Sequence, residues 1–383
     1  MAIITGLSGN ELYCLKEKGY APGNLVIGNS VFALGFAGGI VSGLKTLGGG
    51  EVHQITEIVR EGRSLAYLRM IEEARRHVGV GVTGVTSQLI FHSANIEYLS
   101  IGSAVHVAAG DPPNTDHLWS TSANGQELYC QVDCGFEPLQ FVFGNVAYSI
   151  GVGGGIKGAF RSLKSGEVVE YSNMLNHTRH LALERISQEA KAVGANAVLG
   201  IKTEISPISG MQEMLMTGTA SHNADLPAIY SETPITSDLT NEEMWNVIHS
   251  GYCPIKLVLG VSVFSLGFAG GVKAMFKSFV RGEIKELTYL IYQARVRALA
   301  MIAEDAQSVN ADDVVGVKTY VYDFGGGVIE LLAIGTAIKK FPNMRVRNNQ
   351  LIPQAIIRDV DTFTNKVPLL VPNPNQPFGS YDV

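Results

Sequence analysis

Hydrophobic and polar positions in this chain follow a local pattern that is repeated three times. Leu25-Val26-Ile27, Phe141-Val142-Phe143 and Leu257-Val258-Leu259 are short apolar runs, each ending at a glycine, and they predict buried strands. Further on, the stretches Glu51–Val78, Glu167–Gly194 and Glu283–Asn310 carry the helical pattern. In the second of them, Val168, Tyr171, Leu175, Thr178, Ala182, Ile186, Ala190 and Val193 are apolar or small and fall on one face of a long helix. The glutamate opening each stretch suits the positive end of the helix dipole. Two more strands are predicted to close each unit. The first is Val82–Leu89, Ala197–Ile205 or Val314–Tyr322, and the second is Glu97–Val105, Glu213–Ala220 or Glu330–Ile338.

Each unit also opens with a helix signal. Ser8, Asn124 and Thr240 suit an N-cap, and Glu11, Glu127 and Glu243 follow three residues later, the spacing of a capping box. The stops are Gly19-Tyr20-x-Pro22, Gly135-Phe136-x-Pro138 and Gly251-Tyr252-x-Pro254, with glycine past the helix end and proline beyond it.

The repeat has a step of 116 residues: Gly28, Gly144 and Gly260 keep it, as do Gly35, Gly151 and Gly267, and Gly84, Gly200 and Gly316. Gly102, Gly218 and Gly335 show one residue inserted late in the third copy. The fold expected is therefore α+β: three tandem modules, each a short N-terminal helix, an antiparallel sheet and one long helix. The modules span 1–107, 121–221 and 238–340, separated by Pro-bearing linkers. A Pro- and Asn-rich segment, 341–383, cannot build a core and reads as a free tail or an arm that docks elsewhere.

Composition narrows the function classes. Hydrophobic residues at 46% and charged residues at 17% indicate a globular chain, and a net charge of −6 without a basic block argues against nucleic acid as a partner. Four cysteines, Cys14, Cys130, Cys134 and Cys253, do not make a disulfide scaffold, and a reduced, cytoplasmic setting is expected. No signal peptide is read at Met1–Asn10. Leu25–Leu44 lacks charges over a membrane-spanning length, but glycines interrupt it and its counterparts meet Lys157 and Lys273. A buried strand, a Gly-rich turn and a short helix are expected there rather than a transmembrane segment.

Arg179-x-x-Ala182, followed by Ala195-Asn196-Ala197-Val198-Leu199-Gly200-Ile201 and Gly218-Thr219-Ala220, resembles the YbjQ family, often labelled heavy-metal-binding. The third copy matches with Arg295-x-x-Ala298 and Ala311-Asp312-Asp313-Val314-Val315-Gly316-Val317. The first keeps Arg63 and Ala66 but has Val78-Gly79-Val80-Gly81-Val82 in place of the Ala-Asn/Asp signature. The resemblance implies ring-shaped homo-oligomers, typically pentamers, built through sheet and helix, and it brings no catalytic residues.

Candidate chemistry follows from comparing the copies. A metal site would draw on Cys130 and Cys134, spaced on a helix, and on His177 and His180, also on one helix face. Cys130 has a counterpart only in Cys14 and the other three have none, so no cofactor is expected beyond a divalent metal held by the second copy alone. The glycine clusters lack a Gly-Lys-Ser/Thr and a Rossmann spacing, and close packing explains them better. The recurring charges are Arg63, Arg179 and Arg295 beside the apolar stripe, Glu73, Glu189 and Asp305 ten residues later, and Glu97, Glu213 and Glu330 in the last strand. Ten residues is about 15 Å along a helix, so the first two sets cannot pair within one helix; each is expected to meet its opposite in a neighbouring module, with Glu97, Glu213 and Glu330 as the alternative partners. No nucleophile–base–acid set recurs, and no enzyme is expected.

Three functions are consistent with these features. The first is a non-enzymatic homo-oligomer, either two chains closing a six-module pseudo-hexameric ring or five chains forming three stacked pentamers. The second is a heavy-metal or small-ligand binder, and the third a membrane-surface protein inserting Val31–Leu44 and its counterparts.

Overall fold

Polar side chains close the ends of the short helices as the sequence predicts. In the computed structural model, residues 2–33, 49–92, 95–109, 118–149, 166–208, 211–265, 285–325 and 328–357 are described. The first module contains α1 (Gly9–Glu17), β1 (Tyr20–Ala33), β2 (Gly50–Glu51), α2 (His53–Arg76), β3 (Gly81–His92) and β4 (Asn95–Val107). After β5 (Trp119–Ser120) come α3 (Gly125–Asp133), β6 (Glu137–Ser149), β7 (Gly166–Glu167), α4 (Val169–Ala192), β8 (Ala197–Ile208) and β9 (Met211–His222). After α5 (Ile229–Glu232) and β10 (Ile235–Thr236) come α6 (Asn241–His249), β11 (Tyr252–Ser265), α7 (Lys285–Ser308), β12 (Asp313–Gly325), β13 (Val328–Lys340) and α8 (Pro353–Ile356). Ser8, Asn124 and Thr240 each complete a capping box with Glu11, Glu127 and Glu243. Gly19, Gly135 and Gly251 follow the helix ends at φ of 81°, 82° and 86°, a conformation glycine adopts without strain.

Each module is α+β: one long helix of 24 residues laid on a twisted sheet whose central strands are antiparallel. The strand orders are β1-β4-β3-β5, β2-β6-β9-β8-β10 and β7-β11-β13-β12. The first strand of each module is longer than its apolar triplet suggests and passes through the repeated glycine. Gly28, Gly144 and Gly260 lie where the long helix comes closest. A methyl group there would run into the carbonyl oxygens of Ala66, Ala182 and Ala298. That contact gives both the glycine and the Ala of Arg-x-x-Ala a single reason, close backbone approach of helix and sheet.

The long helices also start later than expected. Glu51 and Glu167, read as opening the long helices, belong with Gly50 and Gly166 to two-residue strands instead. β2 pairs with β6 of the second module, and β7 pairs with β11 of the third. Glu51 does not serve a helix dipole but meets Arg185 of the second module at 2.8 Å.

The sequence divides into modules, but the hydrophobic core does not. One cluster joins Val142, Leu175 and Ile186 of the second module to Leu257, Leu259 and Leu332 of the third. Another joins Val26, Met70 and Val85 of the first to Phe141, Phe143 and Leu215 of the second. The linkers contribute as well, since β5 and β10 add parallel edges to the sheets of the first and second modules.

The segment after β13 docks, as far as it is described. Residues 341–357 lie over the layer of short helices, with Phe341, Met344, Leu351 and Ala355 in one cluster with Cys130, Phe136 and Trp245. The Gly-rich elements, most of Val31–Leu44, Gly282-Glu283 and residues 358–383 lie outside the described residues. Among the described residues no helix is long and apolar enough to cross a membrane.

Candidate assembly interface

The recurring arginines of the first two long helices point at the sheet of the next module. Arg63 on α2 reaches β9, where its Nε and Nη2 donate to the two carboxylate oxygens of Glu213 at 3.1 and 2.7 Å. Its Nη1 donates to Ser87 Oγ at 3.0 Å. Arg179 on α4 reaches β13. There it meets Glu330 at 2.9 Å to each oxygen and donates to Tyr148 Oη at 2.8 Å. Burial opposes the charge of Arg179, but Glu330 and Tyr148 outweigh it and its pKa is raised. Both pairs are buried, and such pairs fix which residue meets which more than they add stability.

The remaining contacts of the junction repeat with the same step. Val52 N and Val168 N donate to Ala147 O and Val263 O at 2.8 Å each. In return Ala147 N and Val263 N donate to Thr56 Oγ1 and Ser172 Oγ at 2.9 Å each. These hydroxyls were not singled out by sequence reasoning. The signal was present, because Thr56, Ser172 and Thr288 keep the 116-residue step.

The ten-residue partners do not meet the recurring arginines. Glu73 and Glu189 instead accept backbone N–H groups of their own modules, from Ile27 and Phe143. Glu189 also receives Arg60 of the first module at 3.0 Å. Asp305 binds Lys256 and lies 3.7 Å from His180 of the second module. Partial burial opposes the charge on His180, yet its contacts with Asp305 and Asn176 O raise its pKa; Asp305, half-buried too, is held below the usual carboxylate range by His180 and Lys256.

A second layer of contacts joins the short helices, which pack α1 on α3 and α3 on α6. Glu11 caps both its own helix and the next, accepting from Gly125 N at 3.0 Å. Asp133, fully buried, accepts from Lys18 Nζ and Trp245 Nε1 at 2.8 Å each, tying three modules together at one carboxylate. Burial disfavours its charge, but those two donors hold its pKa below the usual value. The docked segment adds the backbone N–H of Asn348 at 3.2 Å.

The metal candidates are not brought together. Cys130 and Cys134 sit in the apolar cluster under the short helices, whereas His177 and His180 are on α4, the first exposed and the second engaged with Asp305. Burial pushes the Cys130 and Cys134 thiols up, the opposite of what metal ligation needs. Among the described residues no group of three His, Cys, Asp or Glu side chains could hold a metal ion.

Among the described residues, the same surfaces are more exposed on the first and third modules. Arg295 is exposed, and so is Thr288, while Arg63, Arg179, Thr56 and Ser172 are buried. Val317 is 43% exposed where its counterparts Val85 and Ile201 are at 2% and 3%. On the first module Ile27 is 47% exposed, whereas Phe143 and Leu259 are at 5% and 1%. Glu97 is half-buried, bonded to Asn29 at 3.0 Å and to His92 at 2.7 Å, both within its own module. Beside α6 a groove of about 530 Å³ is lined by Glu243, Asn246 and His249 and, from the docked segment, by Asn349, Leu351 and Ile356.

Comparison with known proteins agrees with this architecture. The pattern of the YbjQ family, described as "Putative heavy-metal-binding", matches three times, at residues 19–108, 136–223 and 251–340, leaving out the three short helices. A protein of Mycobacterium tuberculosis named "Encapsulin nanocompartment protein Rv1762c" is 30% identical over 207 residues, 52% of this chain and 77% of that protein. A "UPF0145 protein" of Thermotoga maritima is 45% identical over 85 residues, 22% of this chain and 80% of its own length. One of Methanoregula boonei is 42% identical over 83 residues, 21% of this chain and 69% of its own. The chain belongs to the YbjQ family, as three tandem copies of its domain.

Proposed function

We propose that this chain is a non-enzymatic, self-assembling protein whose series of modules continues from one chain into the next, two chains closing a six-module ring. One observation carries this reading. The Arg–Glu junction is made twice inside the chain, and its third arginine and remaining glutamate, Arg295 and Glu97, are left at opposite ends without each other.

A head-to-tail contact of this kind generates a ring when its rotation closes. Three modules per chain make the ring a multiple of three. Stacked pentamers fit less well, because they would need each module's helix-on-sheet face free for another chain, and two of the three faces are used internally. The name of the M. tuberculosis relative, an encapsulin nanocompartment protein, also favours assembly. The four thiols are free and buried, which suits a cytoplasmic protein, and no catalytic set recurs across the modules.

Native mass spectrometry tests this directly. The expected mass is twice 41.1 kDa. Arg295→Glu should give mostly single chains at micromolar concentration, because it places two carboxylates face to face. Single chains of the unmodified protein at that concentration would overturn the reading.

A further inference from the structure

The three sheets are not equally complete. The middle sheet has five strands, bordered by β2 on one side and by β10 on the other. The first sheet has an outer parallel strand, β5, on β3, and the third has an outer antiparallel strand, β7, on β11. Among the described residues the third sheet ends at β12, although β12 is the counterpart of β3 and β8.

The missing strand has a recognisable source. In both complete cases it is the short segment just ahead of the next module's first helix. Trp119 and Ser120 lie opposite Gly81 and Val82, and Ile235 and Thr236 lie opposite Ala197 and Val198. The next residue continues the bridge: Thr121 N donates to Val82 O at 2.9 Å and Ser237 N to Val198 O at 3.0 Å. In return Val85 N and Ile201 N donate to Thr121 O and Ser237 O at 2.9 and 2.8 Å. The residue after that anchors the segment on its own module, with Ser122 N and Asp238 N donating to Thr219 Oγ1 and Thr336 Oγ1 at 3.1 Å each.

One step of the repeat earlier, the corresponding residues are Ile3, Ile4, Thr5 and Gly6. The anchor is already made, since Gly6 N donates to Ser103 Oγ at 3.2 Å. Leu25 N also donates to Ile4 O at 2.6 Å, holding the segment beside β1. Among the described residues the bridge has no strand to join within the chain, and Ile3 and Ile4 are 52% and 75% exposed.

We infer that Ile3–Thr5 of a second copy of this chain adds as a parallel strand to the free edge of β12. This rests on the reading that a second copy continues the series of modules. Ile3 lies opposite Asp313 and Ile4 opposite Val314. Thr5 N donates to Val314 O, and Thr5 O accepts from Val317 N. The second copy's Ile27 then covers Val317, as Phe143 and Leu259 help to cover Val85 and Ile201 inside the chain. Unpaired edge strands recruit added strands because their N–H and C=O groups otherwise rely on water alone. Two exposed isoleucines beside an exposed valine supply apolar area to the same contact.

The test uses the full chain and three variants: Thr5→Pro, which removes the donated N–H, Thr5→Ala, which keeps it, and deletion of residues 2–5. Two-chain dissociation constants are measured by sedimentation, and hydrogen exchange by mass spectrometry over residues 313–318. The expected result is a tenfold or greater weakening for Thr5→Pro and more for the deletion, with Thr5→Ala within twofold of the unmodified chain. Residues 313–318 of the unmodified protein should gain protection on assembly and lose it in the deletion variant. If the deletion variant assembles as tightly, with the same protection, the strand addition is wrong while the assembly reading stands. If the unmodified protein stays single at every concentration, both are wrong.

Discussion

The Arg179–Glu330 junction offers the sharpest test of how the modules are joined. Both side chains are fully buried, and the guanidinium makes contacts of 2.9, 2.9 and 3.2 Å with the carboxylate. Replacing Arg179 by Met keeps most of the volume but leaves the Glu330 carboxylate without its cation, and Tyr148 Oη without its donor. Removing one partner of a buried pair costs about 3–5 kcal/mol, because the charge left behind is neither solvated nor paired. Replacing Glu330 by Leu should cost a similar amount for the same reason. The double variant removes both charges and leaves an apolar contact in a region already lined by Met214, Val263 and Leu332, and such exchanges are often neutral or stabilising. The coupling between the two sites should therefore be about 3 kcal/mol or more. The assay is urea unfolding followed through tryptophan fluorescence, since Trp245 is buried against Asp133 in the third module. A coupling below about 1 kcal/mol, the size of an exposed surface pair, would refute the argument that burial makes this pair decide which modules meet.

Three other outcomes are expected. Gly144→Ala should destabilise by about 2–3 kcal/mol or more, read as a fall in urea midpoint, because the new methyl strikes the backbone of α4 at Ala182 rather than a side chain that could move. The His180–Asp305 contact should be pH-dependent in both directions. A raised imidazole pKa contributes fully below the ordinary histidine value and loses its contribution as pH rises through the raised one, while a lowered carboxylate pKa loses its contribution as pH falls through the lowered value. The cost of His180→Gln should thus be greatest near about pH 5 and smaller at about pH 8–9; a cost independent of pH would count against the pairing. Finally, burial pushes the Cys14 and Cys253 thiols up to about 12 and raises Cys130 and Cys134 as well, so none should react with iodoacetamide in the native protein and all four should react in urea. Stoichiometric native labelling would contradict the burial.

Much of the fold is legible along the chain because it depends on neighbours in sequence. Ser8, Asn124 and Thr240 cap helices through residues three positions away. The 116-residue step fixes the module count, and the steps of three and four place Leu175, Ala182 and Ile186 on one face. Glu51 misled the reading because an acid opening a helix has a local explanation, whereas its strand partner, Tyr148, is about a hundred residues away. Repetition finds the recurring charges and leaves two sets of acidic partners for the arginines, but it does not choose between them. Arg63 chooses Glu213 rather than Glu189 because of where β9 lies under α2, a matter of sheet order rather than spacing.

By itself, then, the sequence determined the α+β module, its three-fold repetition and the set of charges each copy keeps. Those follow from local periodicity, which says that a face is buried but not what covers it. The tertiary structure alone decided that helices pack on the neighbouring module's sheet, that Arg63 and Arg179 become buried, and that, among the described residues, Arg295 stays exposed and β12 is an edge strand. The physical reason is that an ion pair or an edge strand acquires its value only from what surrounds it, and those surroundings are assembled from residues a full repeat apart.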